Sequence, residues 1–107
     1  MKHIHSPEVY LSEELDNLLK NLKPNSKLVK WIKDMAVVLK ENKWAGEKIG
    51  KNKIPQHYIK NYGVNNLYRY NHPEGYRSCY TIMNKCPHIL DIMPHPRYDE
   101  IFGYKTT

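Results

Sequence analysis

Arginine and histidine gather in the second half of this chain in a pattern suited to handling phosphate. Arg69 and Arg77 stand on two strand-like runs, Leu67–Tyr70 and Tyr76–Met83, joined by the turn Asn71-His72-Pro73-Glu74-Gly75. His95 and Arg97 follow a third run, His88–Met93, and lie between and after prolines. A guanidinium is a planar fork of donors that fits two oxygens of one phosphate. An imidazole with its ordinary pKa near 6.5 can give or take a proton at neutral pH. Each residue also has a plainer role: Arg77 can pair with Asp91 to knit the sheet, and His95 can be a turn residue. His57 and His72 read as surface residues. His3, His5 and His88 form no metal-ligand spacing, so no metal and no cofactor are expected.

The bulk composition agrees with a polyanionic partner. Seventeen Lys+Arg against 11 Asp+Glu give a formal net charge of +6 in 107 residues, which favours nucleic acid first and an acidic protein second. Basic balance alone is also common in small lysine-rich proteins that bind neither. A chain of this length is expected to form a single domain over residues 1–107. No apolar run approaches the roughly 20 residues that a membrane-spanning helix needs. Met1-Lys2-His3-Ile4-His5-Ser6 has no apolar core behind its positive charge, so no secretory signal is read there and a cytoplasmic location is expected. Cys79 and Cys86 do not match a zinc pair, and free thiols are expected in a reducing compartment. Nine tyrosines against one phenylalanine favour rings that pack while presenting a hydroxyl.

These residues need a scaffold, and the rest of the chain supplies one. Residues 2–10 suggest an extended edge segment interrupted by Pro7. Ser12 is placed to cap a helix whose first turn carries Glu13, Glu14 and Asp16, with Leu15, Leu18, Leu19 and Leu22 on one face. Ser26 can cap a second helix to about Asn42, with Leu28, Ile32, Met35 and Leu39 on one stripe and a solvated lysine face opposite. The two should form an antiparallel hairpin. Residues 43–55 read as a basic, glycine-punctuated loop carrying Lys48, Lys51 and Lys53. Pro55 can start a short helix, Gln56–Tyr62, ended by Gly63 in the left-handed conformation. The strand runs then form a meander in which Tyr68, Tyr80, Leu90 and Ile92 are core candidates, and one face is left for solvent or a partner. The expected class is therefore α+β: an N-terminal helical hairpin packed on a small antiparallel sheet. The tail from Pro94 reads as a turn that presents His95 and Arg97.

The stretches Leu67–Ile82 (LYRYNHPEGYRSCYTI) and Ile89–Tyr104 (ILDIMPHPRYDEIFGY), preceded by two helices and a basic loop, resemble the RelE/ParE superfamily of type II toxins. Archaeal members are similar in the lead-in from Ile54-Pro55 to Asn65-Asn66-Leu67 and in the ending Phe102-Gly103-Tyr104. The resemblance implies a compact microbial RNase-like fold. In the RelE branch it implies entry into the ribosomal A site, cleavage of mRNA there, and a cognate antitoxin as resting partner. The ParE branch instead poisons gyrase, so the fold leaves the activity open. A non-catalytic RNA- or ribosome-binding relative is the other reading.

Under the RelE reading, attack of an RNA 2′-hydroxyl on the adjacent phosphate needs a base, an acid and positive charge on the phosphorane, and no metal or small-molecule cofactor. Arg77 matches the superfamily's strand arginine in Tyr76-Arg77-x-x-Tyr80. His95 and Arg97 stand where the superfamily places its second basic set. Tyr98 and Tyr104 are rivals for its C-terminal tyrosine, and Phe102 is nearer the spacing of some members. Lys51 and Lys53 resemble a basic pair ahead of the sheet that tracks phosphates, and Lys60 and Arg69 are weaker candidates of that kind.

Overall fold

The computed structural model describes residues 8–103; the calls on His3, His5, the start of the edge segment and Tyr104 lie outside them. The elements run β1 (Tyr10–Leu11), α1 (Glu13–Lys20), α2 (Lys27–Glu41), β2 (Glu47–Lys48), a 3₁₀ turn (Lys51–Lys53), α3 (Gln56–Tyr62), β3 (Tyr68–Asn71), β4 (Tyr76–Met83), β5 (Cys86–Ile89), β6 (Met93–Pro94) and α4 (His95–Phe102). Both serine caps form. Ser12 Oγ accepts from Leu15 N at 3.1 Å and Ser26 Oγ accepts from Val29 N at 3.2 Å, each satisfying an orphan donor of a first turn. Ser12 also ties helix to sheet, since its N donates to Ile89 O at 2.9 Å and its Oγ to Leu90 O at 2.7 Å.

The sheet order is β1-β5-β4-β3-β2, with β6 also beside β4. The α+β class holds, but the sheet is mixed: β1 pairs with β5 in parallel, and the other pairs are antiparallel. No tight turn joins β1 to its neighbour. The whole helical hairpin and the meander intervene, so the antiparallel sense that a short hairpin imposes is not required there.

Both faces of the sheet are covered. The hairpin places Leu15, Trp31, Ile32, Met35 and Leu39 against Tyr68, Tyr80, Ile89 and Ile92. Within that layer the paired Tyr68 and Tyr80 rings stack at 5.1 Å. On the other face, where an open surface is expected, Leu67, Cys79, Leu90 and Met93 form a second core with Ile54, Tyr58, Val64 and Tyr98. The cause is the tail. Residues 95–102 form α4 instead of a turn, because Pro96 sits in the first turn, where its missing N–H costs no hydrogen bond, and Gly103 ends the helix at φ 76°. Gly63 ends α3 in the same way at φ 63°.

Three further expectations are corrected. The 43–55 segment is not all loop, because Glu47–Lys48 pairs with β3. Gly46 permits that approach: a Cβ there would meet Arg69 O at 2.6 Å and Tyr80 Cε1 at 2.7 Å. The third strand is broken, with β5 pairing Tyr80–Met83 and β6 pairing Tyr76 and Arg77. Between them Asp91 Oδ1 accepts from Cys79 N at 2.9 Å, a side chain standing in for a ladder carbonyl. His72 is buried, not on the surface. Its Nε2 is hydrogen-bonded to Ser78 Oγ at 2.7 Å, its ring lies beside Trp31 and Tyr70, and burial pushes its pKa down to about 4.

Candidate functional site

Strand alternation puts Arg69 and Arg77 on the face turned toward α4. The register pairs Arg69 with Cys79 and Asn71 with Arg77, so the two arginines are diagonal neighbours across β3 and β4. Their guanidiniums converge on one ring: Arg77 Cζ lies 4.8 Å and Arg69 Cζ 5.9 Å from the Tyr98 centroid. Tyr98 is wholly buried and stacks on Phe102 at 4.2 Å, and Phe102 leans on Tyr58 at 6.0 Å. This column of aromatics gives both cations a quadrupolar floor.

The two arginines differ in how their charge is met. Arg69 pairs with Glu47 on the neighbouring strand β2. Burial works against its cation, yet the Tyr98 hydroxyl and Glu47 outweigh that and raise its pKa. Arg69 Nε is buried and has no acceptor among the described residues. Arg77 has no carboxylate partner among the described residues. The expected alternative, a pair with Asp91, does not form, because Asp91 accepts from Tyr58 Oη at 2.7 Å and from Cys79 N. Burial raises the Asp91 pKa to about 6 against the pull of those two donors. Burial likewise pushes the Cys79 thiol up, and both cysteines are free.

His95 opens α4 at the same end of the sheet as Arg77. Pro94 and Met93 pair with Tyr76 and Arg77, and a Cβ on Gly75 would lie 3.8 Å from His95 Cβ. The imidazole Nε2 is 3.0 Å from Asp99 Oδ2, one helical turn on; the carboxylate is 8% exposed and the ring 49%. A buried carboxylate therefore orients a ring that solvent and ligands can reach. Arg97 points outward and pairs with Glu100 at 2.9 Å.

The remaining sequence candidates lie apart. Lys51 and Lys53 are exposed on the 3₁₀ turn, and Ile49 N donates to Leu67 O, which fixes that turn at the start of β3. Arg77 faces the end of β3, about 10 Å away at ~3.3 Å per residue. Lys60 is exposed on α3. The structure thus brings Arg69, Arg77 and Tyr98 into contact, sets His95 at the Arg77 end, and leaves Lys51 and Lys53 at the other. Glu47 and Asp99 are contributors that sequence reasoning missed, and Phe102, named there only for its spacing, braces Tyr98. The i,i+4 spacing of His95 and Asp99 was the available signal, hidden by reading the tail as a turn. A 370 Å³ cavity lined by Lys30, Trp31, Asp34, Tyr70, Asn71, His72 and Pro73 lies between α2 and the end of β3 and does not include Arg77. Among the described residues no three His, Cys, Asp or Glu are grouped closely enough to hold a metal ion, and no helix is long and apolar enough to cross a membrane.

No protein-family model and no curated protein matches the chain. Two solved structures are similar to it. One is archaeal RelE in its complex with RelB from Pyrococcus horikoshii OT3, with a TM-score of 0.54 and 19% identity over 86% of this chain and 98% of that one. The other is the E. coli toxin RelE, carrying two arginine-to-alanine substitutions and bound to an antitoxin RelBc peptide, with a TM-score of 0.56 and 15% identity over 95% and 98% of the two chains. At these identities the likeness is one of fold.

Proposed function

We propose, on the premise that the chain carries the RelE fold, that it is the toxin of a type II toxin–antitoxin system and cleaves mRNA on translating ribosomes. The observation that carries this reading is Arg77: a guanidinium braced on a buried ring, without a carboxylate partner among the described residues, beside a histidine oriented by a buried carboxylate. A sheet-knitting arginine would have its charge met. A cation at the rim of a sheet with no carboxylate on it among the described residues is what a phosphate needs.

In the proposed reaction the 2′-oxygen attacks the adjacent phosphorus and the 5′-oxygen leaves. The products are a 2′,3′-cyclic phosphate and a 5′-hydroxyl. Arg77 forks onto the non-bridging oxygens as charge builds on the phosphorane. His95, held through Nε2 by Asp99, delivers a proton to the leaving oxygen, and the 2′ proton passes to water. Tyr98 serves by bracing both arginines, since its ring is buried beneath them. Lys51, Lys53 and Lys60 track flanking phosphates along the ribosome-bound message, Arg69 and Arg97 are held by Glu47 and Glu100 beside the site, and Tyr104 is a further candidate for it. The acidic partner that the net charge of +6 favours is a cognate antitoxin.

Induced expression tests the reading. The wild-type chain is expected to arrest growth and Arg77→Ala to abolish the arrest while remaining folded. If both proteins leave growth and mRNA intact, the nuclease reading fails.

A further inference from the structure

Trp44 is 58% exposed, whereas the chain's other tryptophan, Trp31, is 8% exposed. Its exposure is built in. Trp44 N donates to Asn42 Oδ1 at 3.0 Å and Ala45 N to Asn42 O at 3.1 Å, which fixes the bend after α2. The hydroxyl of buried Tyr80 then clamps the tip from both sides: it donates to Lys43 O and accepts from Gly46 N, each at 2.9 Å. Gly46 lies so close to β3 that no side chain fits there. The indole therefore cannot fold back into the core without breaking this clamp. It tilts over Tyr68 at 6.0 Å and carries Lys43 Nζ at 5.3 Å from its ring.

The chain that leaves this tip is the outer strand of the sheet, and it is basic. Between residues 43 and 53 stand Lys43, Lys48, Lys51 and Lys53, with Glu47 as the one carboxylate. Glu47 is engaged by Arg69, so its charge does not oppose an incoming anion. An exposed ring at the head of a line of lysines matches how single-stranded nucleic acid is held, with a base on the π-face and phosphates on the cations. A partner surface without anionic groups would have to desolvate those lysines to reach the ring, whereas the phosphates of RNA neutralise them and its bases fit the ring face.

We propose that Trp44 is a base-stacking platform for single-stranded RNA and that the strand runs from it along the β2 edge toward Lys51 and Lys53. This rests on the RNA reading above and adds where a base, as distinct from a phosphate, is held. Stacking of this kind tolerates any base, so the platform contributes affinity and direction with little sequence preference.

The experiment titrates the full-length protein with a single-stranded 2′-O-methyl oligoribonucleotide, which has no free 2′-hydroxyl and so is not cut. Binding should quench Trp44 fluorescence. Trp44→Ala should weaken binding about tenfold or more, and Trp44→Phe should restore most of it. Because stacking releases no counterions, Trp44→Ala should leave the slope of log affinity against log salt unchanged, while Lys51→Ala/Lys53→Ala should reduce it by about 1.4. If the oligonucleotide binds with that lysine dependence but without quenching, and Trp44→Ala binds as the wild type does, the platform is overturned and the RNA reading stands. If no oligonucleotide binds even at low salt, the platform falls, and the cleavage reading is judged separately by mRNA ends after induction. A Trp44→Ala variant that keeps its RNA affinity but loses a protein partner also overturns the proposal.

Discussion

Buried His72 and half-buried Asp91 titrate in opposite senses across the same pH range, and separating them probes the packing around the site. Asp91 moves from 3.8 to about 6 on folding, so the folded state holds its proton to higher pH than the unfolded chain does. Stability from this group is fully present below pH 3.8 and lost as pH rises through 6, by up to ~3 kcal/mol. A 100 Å³ cavity walled by Glu14, Tyr62 and Asp91 lets water near the carboxylate, which makes that figure a ceiling. His72 moves from 6.5 to about 4, so its stabilising contribution is present above pH 6.5 and lost as pH falls through 4, again by up to ~3 kcal/mol. In the wild type the two slopes oppose each other between pH 4 and 6 and largely cancel. Asp91→Asn keeps an acceptor for Cys79 N and removes the titration, so its stability should climb with pH over this window. His72→Gln should do the reverse. Urea unfolding followed by circular dichroism from pH 4 to 7.5 measures all three curves. Parallel curves for wild type and Asp91→Asn would refute the reasoning, because they would mean that Asp91 ionises alike in the folded and unfolded chains.

Other expectations follow from single contacts. Arg77→Ala should lower RNA cleavage about 10²–10³-fold, and Arg77→Lys should restore only part of it, because a point charge lacks the two-pronged fork; single-turnover rates on a labelled message decide this. Asp99→Asn should reduce the cleavage rate at saturating RNA with little change in RNA affinity, and combining it with His95→Ala should add no further loss, since Asp99 acts through the imidazole. Gly46→Ala forces a Cβ to within 2.6 Å of a backbone oxygen and should cost about 1–3 kcal/mol, seen as a fall of several degrees in Tm.

Much of the scaffold is legible in the sequence because its signals are local. Ser12 and Ser26 cap the helices they precede, the Ile32-Met35-Leu39 stripe packs on the sheet, and Gly63 ends α3 at a positive φ. What sequence misses depends on distant pairing. The parallel β1–β5 edge joins residues almost eighty positions apart, and no periodicity encodes it. Pro94 and Pro96 read as a turn, although proline in a first helical turn is favourable, and that one misreading conceals α4, the second core and the His95–Asp99 pair. His72 looks like a turn histidine until Trp31 is seen to lie over it. At the site, Arg77 and His95 are readable by type and position. Tyr98 is readable as a candidate too, but its place wholly buried beneath Arg69 and Arg77 is not, because that depends on α4 folding back across the sheet.

The proposed cleavage of message at a phosphate held by Arg77 should leave new 5′ ends in the cell. Mapping the 5′ ends of cellular mRNA after induction tests it most directly. New ends are expected within translated coding regions for the wild type and none for Arg77→Ala. Growth arrest without new ends, or the same ends from the Arg77→Ala protein, would contradict it.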